Sequence, residues 1–116
     1  MNILKKLKAI LQYRKIVSIA EEEHAKTGDR YYAIPTTGGN IQVVNRRTFR
    51  ILKHKHYIPH KANVIAMEKE SFYHTSYSNG TGGLSDVIKD LKKRQFFSWF
   101  DQTHDRLGRP INTKRT

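Results

Sequence analysis

The chain contains no cysteine, so it holds no disulfide, no thiolate metal site and no cysteine nucleophile. That absence suits a reducing cytosol or the inside of a virion, and a cytoplasmic or virion location is expected. No apolar run approaches the ~20 residues of a membrane span, so no integral membrane segment is expected. The start, Met1 to Lys8, looks basic. Gln12, Arg14 and Lys15 nevertheless interrupt the apolar core that a signal peptide needs, so export by that route is not expected.

Acid is also scarce. Ten Asp and Glu stand against 22 Lys and Arg, a formal net charge of +12 in 116 residues. A folded body so small and so basic repels itself, and a polyanion is the usual counterweight.

Catalytic signatures are missing as well. The glycine pairs Gly38-Gly39 and Gly82-Gly83 lack the Lys-Ser/Thr that completes a phosphate loop. Among Glu68, Glu70, Asp86, Asp90, Asp101 and Asp105, the carboxylates a magnesium site would need, Asp86 and Asp90 share a helix side, but Lys89 and Lys93 beside them favour ordinary helix ion pairs. Asp101, His104 and Asp105 form the nearest thing to an acid–base set, at the end of a helix where polar residues are ordinary. His54-x-His56 with His60 has closely spaced imidazoles, but Lys53, Lys55 and Lys61 around them oppose a dication. We therefore expect no enzyme, no metal, no cofactor and no small-molecule substrate.

What remains is enough for one small core. Hydrophobic residues make up 37% of the chain and aromatics 10%. The pattern predicts a single α+β domain: a long N-terminal helix (1–27), an α+β core (28–107) and a basic tail (108–116). Ile3, Leu4, Leu7, Ile10 and Leu11 share one helical face. Arg14 then lands on that face while Tyr13, Ile16 and Ala20 fall on another, so the helix either bends near residue 13 or contacts two surfaces. Thr27-Gly28-Asp29 is the stop.

Residues 31–34 and 41–44 read as strands around a Gly-Gly-Asn turn, a β-hairpin signal. Asn45 is the N-cap of a basic middle helix from Arg46 to Lys55. Residues 62–70 fit helix or strand equally. Residues 71–77 read as a third antiparallel strand, with Tyr73, Thr75 and Tyr77 on one face. Ser85 caps an aromatic C-terminal helix, about 86–104.

The basic helix is the candidate binding face. From residue 46 to residue 61 there is no acid, and Arg46, Arg47, Arg50, Lys53, Lys55 and Lys61 supply the charge. Arg46, Arg47, Arg50, Lys53 and His54 share an arc, with Phe49 and Leu52 turned toward a core. An arginine fork matches phosphate oxygens in pairs. The expectation is a nucleic-acid-binding accessory protein, DNA or RNA, with contacts mostly to phosphate. Its size and basicity have the flavour of small accessory proteins of phages and mobile elements, an impression of composition and not of motif.

Two rival readings stand beside it. Phe96, Phe97, Trp99 and Phe100 spread over more than half of the last helix, which suits a core or an interface for self-association or a protein partner, as in a structural or assembly component. The first eleven residues, with Lys5, Lys6 and Lys8, suit anionic lipid. Lys92, Lys93 and Arg94 form a second basic cluster, and Tyr73 and Tyr77 resemble a stacking platform.

Overall fold

Strand formation starts where four apolar residues, Tyr31 to Ile34, run without a polar break. A strand buried on both faces has this pattern, and a computed structural model, which describes residues 1–55 and 63–111, places it at the centre of the molecule. The fold is α+β. Helix α1 (Ile3–Thr27) leads into β1 (Tyr32–Thr36), then β2 (Asn40–Val44), α2 (Arg46–His54), α3 (Val64–Glu70), β3 (Tyr73–His74) and α4 (Asp86–Thr103). The three strands form an antiparallel sheet in the order β2-β1-β3.

Strand periodicity sorts the sheet into two cores. Ala33, with Tyr31 before it and Tyr73 on β3, packs against Ala9, Tyr13, Ile16 and Ala20 of α1 and Phe96 and Phe100 of α4. Tyr32, Ile34 and Val44 belong to the opposite core, with Phe49 of α2 and Met67 of α3. The domain is thus three layers, helices on both faces of a small sheet.

The caps follow from sequence. Asn45 closes a capping box with Thr48, accepting from its N–H at 2.9 Å while the Thr48 hydroxyl accepts from the Asn45 N–H at 2.9 Å. Ser85 and Asn63 cap α4 and α3 in the same sense. Gly28 ends α1 in the left-handed region, its N–H donating to His24 O at 2.7 Å. The hairpin turns through one 3-10 turn, with Gly38 and Gly39 at φ 75° and 74°. The strands reach farther into this turn than the apolar residues alone imply. Pro35 fits on β1 because β3 pairs only with Tyr32 and Ala33.

Three expectations change. Residues 64–70 are helical, which resolves most of the 62–70 ambiguity. The third strand is two residues long, because past His74 the Tyr31 N–H donates to the Thr75 hydroxyl at 2.9 Å and not to a β3 carbonyl. The helix α1 does contact the core with a second face, and that face carries all of its burial: Lys5, Ala9, Tyr13, Ile16 and Ala20. The apolar stripe of Ile3, Leu4, Leu7 and Leu11 lies on the outside.

Candidate functional site

The arginines of α2 project beside the N-terminal end of β1. Phe49 is buried and Leu52 packs against the same core, so α2 is pinned by its apolar side. Its outer arc is then free to carry charge. Arg46, Arg47 and Arg50 line a cleft of about 630 Å³ together with Arg30, Tyr32 and Tyr77, and with Thr27, Asp29 and Asn45 at the α1–β1 junction.

The charge in the cleft is lopsided. Four guanidiniums face one carboxylate, Asp29, which accepts from the Asn45 side-chain amide at 3.1 Å. None of the ion pairs of the described residues involves Arg46, Arg47 or Arg50. All three are exposed.

Arg30 is different, because its side chain is only 6% exposed. Its Nη2 donates to Gly82 O at 2.9 Å and meets Glu68 Oε1 at 3.4 Å. The same nitrogen contacts the ring of buried His74. Its guanidinium stacks on Tyr77, 4.2 Å from the ring centre, and lies 5.6 Å from the Tyr32 ring. Its Nε is buried without a hydrogen-bond partner among the described residues, a costly arrangement for a charged group.

Burial pushes the His74 pKa below the usual histidine value. The Thr75 carbonyl opposes that shift, and the cations Arg30 and Lys92 reinforce it. The ring is therefore neutral and has a lone pair to offer Arg30. Tyr32 is raised, chiefly by burial.

The sequence-predicted residues divide. Arg46, Arg47 and Arg50 come together in the cleft. Lys53 is half-buried, and His54 and Lys55 are exposed; none of these three lines the cleft. Lys61, His56 and His60 lie outside the described residues. Arg30 and Tyr32 were not singled out by the sequence, since an isolated Arg before a strand has no cluster to mark it. The Arg30-Tyr31-Tyr32 run, a cation next to aromatics, was the available signal.

The proposed stacking pair separates. Tyr73 is buried, and its hydroxyl donates to Glu21 Oε1 at 2.5 Å. Burial, with that hydrogen bond and the Glu21 charge, raises the Tyr73 pKa. Tyr77 is 46% exposed and stands in the cleft.

The aromatic cluster of α4 also divides. Phe96 and Phe100 are core residues at 0% and 1% exposure, so neither ring is available to a partner. Phe97 and Trp99 are half-buried against the same core. The rings crowd round α4 because Phe72 and Tyr13 meet Phe96 from two sides, at 5.5 and 5.1 Å between centres.

Lys92 is likewise not a solvated cation. It is buried, and its Nζ donates to Ser71 O at 2.8 Å and Glu68 O at 3.0 Å, satisfying carbonyls at the end of α3. Burial lowers its pKa. Lys93 lies 5.8 Å from the Tyr13 ring centre, and Arg94 pairs with Asp90.

The polar residues near the end of α4 all have structural partners. Lys5 pairs with Asp101 at 2.8 Å, and that hydrogen bond lowers the Asp101 pKa. Asp105 accepts from the Leu107 and Arg109 N–H groups, which lower it too. His104 is buried and stacked on Phe100 at 3.8 Å, and burial lowers its pKa. With Lys5 buried and Lys8 donating to Leu107 O, two of the three lysines offered for lipid contact are already engaged.

Among the described residues no group of three or more His, Asp or Glu is arranged to hold a metal ion. No helix of the described residues is long and apolar enough to cross a membrane. No protein-family model, curated protein or solved structure matches this chain.

Proposed function

We propose that the chain is a non-catalytic nucleic-acid-binding protein whose contacts are mostly to phosphate. The observation that carries this is the cleft, where Arg46, Arg47 and Arg50 stand exposed beside Arg30, without acidic partners among the described residues. Arginine forks at that density offer paired donors to successive phosphate oxygens. The net charge of +12 adds a long-range pull toward any polyanion. The non-catalytic part rests on the polar residues near the end of α4, each of which has a structural partner.

The test is fluorescence anisotropy with labelled nucleic acid across a salt series. Affinity should fall linearly in log–log form, with a slope that counts the phosphates neutralised. Replacing Arg46, Arg47 and Arg50 together by Glu should abolish binding while the circular dichroism spectrum stays unchanged. Undiminished affinity in that folded variant would remove the assignment.

A second reading, an assembly component, is favoured by one observation. Ile3, Leu4, Leu7 and Leu11 expose an apolar stripe on the side of α1 turned away from the core. Singly exposed apolar residues are normal, but a row of four on one helix is a contact surface in form. Light scattering over a concentration series tests it: a mass that climbs with concentration supports assembly, and a constant monomer mass counts against it.

A further inference from the structure

We infer that the cleft takes single-stranded nucleic acid, with one unpaired base stacked at Tyr77 and its flanking phosphates held by Arg46, Arg47 and Arg50. The inference rests on the phosphate-binding reading and adds to it the strandedness and the base contact.

Three observations lead there. First, the arginines and an aromatic ring share one recess. Tyr77 keeps 46% of its surface exposed although Arg30 lies over its ring at 4.2 Å. A surface meant only for a phosphate backbone has no use for an exposed ring in its lining. Second, the recess has the right size. Its volume of about 630 Å³ falls within the range of ~300–1,000 Å³ typical of pockets that enclose small organic groups, so a nucleotide unit can enter. A duplex keeps its bases stacked inside, and a ring in a recess cannot reach their faces. An unpaired strand turns its bases outward and every base has a π-face, which makes the contact tolerant of sequence.

Third, the ring is held. Gly82 packs against it so closely that an added Cβ would come within 2.8 Å of its Cδ2 and Cε2. Arg30, itself buried, lies over the ring and donates to Gly82 O. A stacking ring whose position is already set loses little entropy when a base arrives. Arg30 beside the ring adds the cation–π contribution that single-strand sites use alongside base stacking.

The experiment compares three labelled probes at one low salt concentration: a short oligothymidylate strand, an abasic strand with the same number of phosphates, and a duplex of equal length. The base-bearing strand should bind about tenfold tighter than the abasic strand, the size expected for one stacked base. It should also bind tighter than the duplex. Tyr77→Ala should erase the difference between base-bearing and abasic strands, whereas Tyr77→Phe should preserve it. Equal affinity for base-bearing and abasic strands overturns the inference while leaving the phosphate-binding reading intact, as does a preference for duplex. No binding of any probe overturns both. Because the three probes are compared on the unaltered protein, the outcome does not depend on the variants folding.

Discussion

The Nη2 of Arg30 lies 2.8 Å from Nδ1 and 3.1 Å from Nε2 of His74, and the His74 Nδ1 lies 3.1 Å from Thr75 O. The guanidinium donates here only to a neutral ring, which keeps one nitrogen lone pair as acceptor. A second proton on the ring would remove the acceptor and set two cations against each other, with Lys92 also near. The pair therefore joins the cleft to the core of the sheet.

Stability should fall in mild acid. The folded-state pKa values of His74 and His104 both lie below the ordinary 6.5, through burial first. For a histidine shifted downward, the unfolded chain takes up protons before the folded one does. The contribution is thus fully present above about pH 6.5, is lost as pH falls below it, and levels off once pH passes the folded values. Urea unfolding at a series of pH values checks this. The expected midpoint declines from neutrality downward, and a His74→Gln variant should show a shallower decline.

Lys92→Met should destabilise the domain by about 1–3 kcal/mol, because the carbonyls of Glu68 and Ser71 lose their donor while the stem keeps its packing. The loss should concentrate in α3, whose amides should exchange with solvent faster than those of α1. A midpoint equal to that of the parent chain would refute the capping role.

Phe96→Ala should cost about 3–5 kcal/mol, the usual range for emptying an aromatic site in a packed core. Leu7→Gln and Leu11→Gln, on the outer stripe of the same layer, should change stability by less than about 0.5 kcal/mol. Thermal melts on the three variants check both halves. The contrast is informative because all three positions are apolar and helical, and the sequence alone ranks them alike.

Gly82→Ala should weaken single-strand binding with Arg46, Arg47 and Arg50 all retained. The residue sits at φ 77°, and its new methyl would meet the Tyr77 ring at 2.8 Å, so the ring must move. Near-ultraviolet circular dichroism should report the displaced tyrosine, and the anisotropy titration should report the lost affinity.

Local signals carried most of the fold. Asn45, Ser85 and Gly28 mark helix ends by side-chain and backbone chemistry that needs no tertiary context, and the structure uses each as the sequence suggests. The orientation of α1 was less legible. Its strongest apolar periodicity belongs to Ile3, Leu4, Leu7 and Leu11, yet the core takes Ala9 and Ala20, which are small enough for close helix approach and weak in any hydrophobicity count. The cleft was legible in part. Arg46, Arg47 and Arg50 announce themselves as a cluster and Arg30 joins them across the β1–β2 hairpin, but Tyr77 reaches them only through the pairing of β1 with β3, a long-range relation that no local pattern records.

The lacing between α1 and the turn after α4 has a kinetic consequence. Asn2 donates to Arg106 O, Lys5 to Asp101 O and Lys8 to Leu107 O, across 104, 96 and 99 residues of chain. Helix α1 therefore leaves the ribosome well before its anchoring partners are made. At ~5–20 residues per second it waits roughly 5–20 s for them. During that interval Tyr13 and Ile16 lack the α4 rings that shelter them. Contacts that close so large a loop also form late and slowly in refolding. A nascent chain halted before α4 should bind a holdase chaperone and yield to protease, and release of the halt should end both.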